Sequence, residues 1–146
     1  MKANTALGPL ERAIGTWKVT GSHPALPGRT VYGKVTFEHI EGGAFIRMHS
    51  EVEDPEFPEG VAIFGTDGDE GECTMLYFDS RGVARKYDVE FHGDGFAWSR
   101  DSQKFAQRFH ITIAKDGRKM EGEGTMKKEG ESWEADLSLS YVRVGS

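Results

Sequence analysis

From Trp17 onward, apolar and polar residues alternate with a period of two, the period of a β-strand with one buried face. Trp17, Val19 and Gly21 alternate with Lys18, Thr20 and Ser22. Val31, Gly33, Val35, Phe37 and His39 share one face, against Tyr32, Lys34, Thr36 and Glu38. After Glu41-Gly42-Gly43 the chain turns, and Phe45 to Glu53 runs back. Val61 to Thr66 is apolar without a clear face, and Thr74 to Phe78 is a short strand. Val83, Arg85, Tyr87, Val89 and Phe91 then form one row, followed by Phe96, Trp98 and Arg100. Phe105, Gln107, Phe109, Ile111 and Ile113 form the next, and Met120, Gly122, Gly124 and Met126 another. Trp133, Ala135, Leu137, Leu139, Tyr141 and Arg143 make the last inward row.

The breaks between rows carry turn chemistry. Pro24 and Pro27 make His23 to Gly28 a loop, and Pro55 and Pro58 exclude regular pairing from Asp54 to Glu59. Asp67-Gly68-Asp69, Gly93-Asp94-Gly95, Asp116-Gly117 and Glu129-Gly130 are hairpin signals. The one helical segment is Pro9 to Ile14, with Pro9 at its first position, Gly15 past its end, and Leu10, Ala13 and Ile14 as its apolar stripe. About ten strands follow with no helical crossover, which implies an up-and-down antiparallel sheet long enough to curl or close. Closure removes the edges that invite aggregation. The expected fold is therefore all-β: an up-and-down antiparallel barrel of about ten strands with a short N-terminal helix. In it Trp17 and Arg143 stand at the two ends of the sheet, where stacking of the cation on the indole contributes about 0.5–2 kcal/mol. Their expected role is structural closure, ahead of the alternative that Arg143 anchors an anionic ligand.

Composition narrows this further. The 146 residues suit one domain, residues 1–146. With 19 glycines but 5 prolines, the chain is built for tight turns rather than a disordered linker. A net charge of −6 argues against a general nucleic-acid or anionic-membrane surface. The single cysteine, Cys73, excludes an internal disulfide and a site built on several thiolates, and points to a reducing cytoplasm. Met1 to Pro9 lacks the apolar run of a signal peptide, and no stretch approaches the roughly 18–20 apolar residues of a membrane span.

Candidate chemistry lies on the inward rows. Arg85 shares a face with Val83, Tyr87, Val89 and Phe91, and a buried cation needs a partner, water or an anionic guest. Arg100 follows Phe96 and Trp98 and either points inward or reaches solvent near a turn. If both arginines point inward, the expected guest carries a carboxylate, sulfate or phosphate. Tyr87, Gln107 and Tyr141 can orient a ligand or hydrogen-bond one another. Met48, Met120 and Met126 add adaptable surface. Only His39 among the five histidines has clear inward parity, since His92 and His110 alternate with apolar residues, His23 is in a loop, and His49 shares its face with Arg47 and Glu51. No His-x-His or His-x-x-x-His spacing supports a metal site. There is no nucleophile elbow or phosphate loop, and Gly122-Glu123-Gly124 sits inside a strand, where glycines admit a bend or a close neighbour. Cys73 has no adjacent basic residue to activate it.

The run Leu10-Glu11-Arg12-Ala13-Ile14-Gly15-Thr16-Trp17, followed by an all-strand chain ending in Tyr141-Val142-Arg143, resembles the calycin superfamily of lipocalin-like barrels. Within it the chain is similar to the bacterial group of unknown function called DUF1579, through the Gly-Thr-Trp opening, the Phe78-Asp79-Ser80-Arg81-Gly82 turn, the Trp133 strand and the terminal Tyr-x-Arg. Fatty-acid-binding and nitrobindin-like proteins are more distant likenesses. The resemblance implies a barrel that binds a hydrophobic ligand. In the nitrobindin-like branch that ligand is haem, held by a late histidine with no inward counterpart here.

These readings favour a binding protein over an enzyme. The expected guest is a small, partly apolar molecule in the barrel interior, anchored by Arg85, Tyr87 and Gln107, with His39 and Arg100 behind them. The alternatives are a haem or other cofactor binder using His39, a small cavity enzyme using His39 and a tyrosine for proton transfer, and a solid-core structural or interaction module that pairs with a second copy through a barrel face. No cofactor is required by the first reading.

Overall fold

A computed structural model describes residues 4–66 and 71–145. The Asp67-Gly68-Asp69 hairpin signal lies outside the described residues. Ten strands follow one another: Gly15–Ser22 (β1), Val31–Ile40 (β2), Phe45–Val52 (β3), Gly60–Thr66 (β4), Cys73–Asp79 (β5), Ala84–His92 (β6), Gly95–Arg100 (β7), Phe105–Ile113 (β8), Lys119–Lys128 (β9) and Glu134–Arg143 (β10). They form a closed antiparallel barrel in which each strand pairs with its sequence neighbours and β10 returns to β1. The closing seam runs from Trp17 opposite Arg143 to Ser22 opposite Ser138, so the sheet has no free edge.

The N-terminal helix differs from its expected form. The helix is present as a 3-10 helix over Thr5–Ala13, four residues earlier in its start than the segment Pro9–Ile14 expected from the sequence. Asn4 caps it through its side-chain oxygen, which accepts from the Ala6 N–H at 3.1 Å. The spacing explains the helix type. Residues three apart eclipse in a 3-10 helix, and Leu7, Leu10 and Ala13 are the buried set. Ile14, assigned to the stripe on α-helical spacing, is instead only half-buried.

Alternate connections fall at opposite ends of an up-and-down barrel. The helix plugs the end that holds the β2–β3, β6–β7 and β8–β9 connections. There Leu7 and Leu10 are completely buried, and Phe37, Phe64 and Phe96 pack with ring centroids 6.2–6.4 Å apart. This half has a solid core.

β10 breaks the expected alternation. Its register against β9 shifts between Ala135 and Ser138, a bulge that reverses the parity of everything before it. Leu137, Leu139 and Tyr141 keep the inward row, but Trp133 and Ala135, also expected inward, are exposed. Trp133 lies on the outer surface under the Arg108 guanidinium, 4.1 Å from the ring centroid. No helix among the described residues is long and apolar enough to cross a membrane.

Candidate functional site

The barrel's other half is hollow. A cavity of about 290 Å³ opens toward the β1–β2, β3–β4, β5–β6 and β7–β8 connections. Val19, Val35, Met48, Met75, Trp98 and Phe109 supply much of its apolar wall. Small residues make the room. A Cβ on Gly122 would stand 2.5 Å from the Phe109 ring and 3.3 Å from the Tyr141 ring, so glycine here lets both rings lie back against β9. Trp98 stacks on Phe109 with centroids 4.9 Å apart.

The polar groups cluster near the mouth. Arg85 and Tyr87 alternate inward on β6, and Gln107 projects from β8. The Tyr87 hydroxyl donates to Gln107 Oε1 at 2.6 Å, and Arg85 Nη1 donates to the same oxygen at 3.3 Å. One acceptor thus serves two donors. The Arg85 guanidinium also lies over the Phe105 ring, 5.1 Å from its centroid, and has no carboxylate partner among the described residues. Burial pushes the Tyr87 hydroxyl up, against the pull of the nearby Arg85 and Arg100 guanidinium groups. The phenol stays neutral at physiological pH.

The remaining candidates are placed elsewhere. Arg100 stands opposite Gln107 across β7 and β8, but its Nη1 bonds back to the Phe105 carbonyl at 3.3 Å, and it does not line the cavity. His39 is exposed at the plugged end, with Nε2 3.0 Å from the Glu11 carboxylate. Parity does align it with Val35 and Phe37, but β2 carries it past the phenylalanine plug toward the helix. It therefore meets neither Arg85 nor the cavity. Among the described residues the cavity wall holds no histidine or cysteine, a donor set that does not fit a histidine-ligated haem. Cys73 is buried, which pushes its thiol up to about 11.

Trp17 and Arg143 belong to the plugged end. The Arg143 guanidinium lies over the indole at 4.2 Å. Its three nitrogens donate to the carbonyls of Gly117 at 2.9 Å, Ile14 at 2.6 Å and Arg12 at 2.6 Å. Trp17 Nε1 donates to the Ala13 carbonyl at 2.9 Å. Together they tie the last turn of the helix to the barrel seam. Gly15 is favoured beside them, because its φ of +131° strains any side chain and a Cβ would stand 2.6 Å from Arg143 Nη1.

Two groups at the open end escaped the sequence reading. Tyr77, whose strand is apolar on both faces, lines the cavity and donates to Asp79 Oδ2 at 2.7 Å. Arg81 clasps the same carboxylate. These hydrogen bonds, led by Arg81, hold the Asp79 carboxyl well below the usual carboxylate range despite its burial. The turn motif Asp79-Ser80-Arg81-Gly82 was the available signal, since it sets an acid and a base two residues apart. The second group is Asp136, turned to the cavity by the β10 bulge and bonded to His23 Nε2 at 2.8 Å. His23 Nδ1 accepts from the Ala25 N–H at 3.0 Å, so Nε2 carries the proton and donates. No hydrophobic pattern foretells a bulge, and this pair had no signal.

No protein-family model matches the sequence, and no curated protein matches it. Among solved structures, the chain is similar to Rv2717c from M. tuberculosis, with a TM-score of 0.72, 14% identity, and 99% of this chain and 100% of that chain covered. It is also similar to the S-type phycobiliprotein lyase CPES from Guillardia theta, with a TM-score of 0.61, 15% identity, and 94% and 91% of the two chains covered. At these identities the likeness shows the fold alone, a closed antiparallel barrel, and the lipocalin-like and DUF1579 assignments stay resemblances.

Proposed function

We propose that the protein binds a small, largely apolar molecule with an anionic head group in the open half of the barrel. The observation that carries this reading is Arg85: a guanidinium in the cavity wall whose hydrogen bonding among the described residues is one 3.3 Å contact to Gln107. A half-buried cation left so open to the interior is stabilised by an anion that enters and takes its free N–H groups. The apolar wall beyond it supplies the affinity, and a volume of about 290 Å³ sits near the lower limit of about 300 Å³ for small-molecule pockets, which selects a compact guest. In this reading the guest needs no axial histidine, and the protein is a binding module rather than an enzyme. The DUF1579-like Gly-Thr-Trp opening and Arg143 are consistent with it, because both belong to the container.

The test uses 8-anilinonaphthalene-1-sulfonate and its uncharged counterpart N-phenyl-1-naphthylamine, followed by dye fluorescence. Arg85→Met weakens the sulfonate by about 10- to 100-fold, the range expected for a charge-assisted hydrogen bond, and leaves the uncharged dye unchanged. Equal binding of the sulfonate by the parent and the variant sinks the anionic-head reading. Failure of both dyes to bind sinks the cavity reading.

A further inference from the structure

Tyr141 is the polar group of the cavity that an anionic head group leaves unexplained. The residue is 2% exposed and lines the cavity wall. Burial alone raises its hydroxyl, with no hydrogen bond contributing among the described residues. Of the fully enclosed side-chain nitrogens and oxygens described, Arg47 Nε is the one without a partner. The Tyr141 oxygen therefore meets open space, and for a residue this deeply buried that space is the cavity interior. An unpartnered phenol in an apolar chamber is costly, and it offers both a donor and an acceptor.

Position gives this hydroxyl its meaning. Tyr141 lies two residues before Arg143, at the plugged end of β10, whereas Arg85 is the second residue of β6, beside the open-end turn. The two polar sites are thus at different depths, with apolar wall between them. Gly122 fixes the deeper one, because the ring lies directly over its missing Cβ.

We propose that Tyr141 is a second, deep polar subsite and that the guest is bipolar: a carboxylate held by Arg85 and Gln107 near the mouth, an apolar middle, and a hydroxyl or carbonyl at the far end that hydrogen-bonds the Tyr141 hydroxyl. This inference rests on the ligand-binding reading above. It specifies an oxygenated acid rather than a plain one. The free donors at the mouth, Arg85 N–H groups and the Gln107 amide, call for acceptors on the guest. The inner phenol accepts or donates, so a terminal alcohol and a terminal ketone both qualify.

Calorimetric titration with octanoic, decanoic and dodecanoic acids and their ω-hydroxy counterparts tests it on the parent protein and on Tyr141→Phe. In a dry apolar cavity a terminal hydroxyl without a partner weakens binding by about tenfold. The parent is expected to reverse that order at the best-fitting length, taking the hydroxy acid about fivefold or more tighter than the plain acid. Tyr141→Phe restores the preference for the plain acid and keeps or raises the melting temperature of the unliganded protein. If the parent binds plain acids and disfavours the hydroxy acids as much as the variant does, this inference falls and the ligand-binding reading stands. A lower melting temperature for Tyr141→Phe assigns the hydroxyl a structural partner and also overturns the inference. If no acid of either series binds the parent, the ligand-binding reading falls with it.

Discussion

The two ends of the barrel each hold an arginine from an inward row, and they use it in opposite ways. At the plugged end Arg143 donates to three backbone carbonyls and covers the Trp17 indole. At the open end Arg85 has a long contact to Gln107 and lies over the Phe105 ring. Parity along the strands assigns both the same direction. The difference lies in what surrounds them: carbonyls at the end of the 3-10 helix and in the β8–β9 turn surround Arg143, while Arg85 faces a space that no side chain fills. An inward cation is structural where the backbone provides acceptors and available for a guest where it does not.

The sharpest way to break this contrast is to remove each arginine in turn. Arg143→Met should destabilise the fold by roughly 3 kcal/mol or more in urea unfolding, since charge-assisted hydrogen bonds contribute about 1.5–3 kcal/mol each and their carbonyls are left unpaired. Arg85→Met should change stability by less than about 1 kcal/mol, because a poorly partnered half-buried charge gives little to the fold, while the sulfonate dye binds about 10- to 100-fold more weakly. Equal destabilisation by the two variants would erase the distinction between the ends. Gly15→Ala should cost about 1–3 kcal/mol from its backbone conformation alone, and its Cβ would also push Arg143 Nη1 aside.

The open end has a structural polar group of its own, which a pH series separates from the binding cluster. The Asp79 carboxyl is held low, first by Arg81, so the native state binds fewer protons than the unfolded chain in acid. Its contribution is complete above the ordinary carboxylate value of about 4 and is lost as pH falls toward the depressed folded value. Asp79→Asn should cost about 1–3 kcal/mol at neutral pH and make the urea midpoint fall less steeply between about pH 5 and pH 2.5. An unchanged acid slope would remove Asp79 from the stability of the mouth. The smallest expected effect is that of His39→Ala, whose exposed pairing with Glu11 should be worth within about 0.5 kcal/mol and whose loss should leave dye binding intact. A loss of dye binding in that variant would reconnect the plugged end to the cavity.

The closed meander was legible along the chain because a period of two, punctuated by Gly, Asp and Pro, leaves a long antiparallel sheet few alternatives to closure. Arg85, Tyr87 and Gln107 were legible for the same reason, as polar interruptions of inward rows. Parity failed at particular places. It could not show that β2 carries His39 beyond the core, because alternation reports a face and not a depth. It failed before Ser138, where the bulge turns Asp136 in and sends Trp133 and Ala135 out. It also placed the helix start too late, since the stripe Leu10, Ala13 and Ile14 left out Leu7, which is buried with Leu10 and Ala13 at the three-residue spacing of a 3-10 helix.

What the amino-acid order determined by itself was the container: strand count, closure, and the approach of Trp17 to Arg143 across the seam. These follow from local periodicity and chain order, which act on neighbours in sequence. Whether the interior is full or hollow was decided only in three dimensions. It depends on how large side chains such as Phe37, Phe64 and Phe96 crowd one end while Gly122 and its neighbours leave the other open, a sum over strands far apart in the chain. The same packing assigned two chemically identical arginines to different work, one holding the barrel shut and the other facing the space inside it.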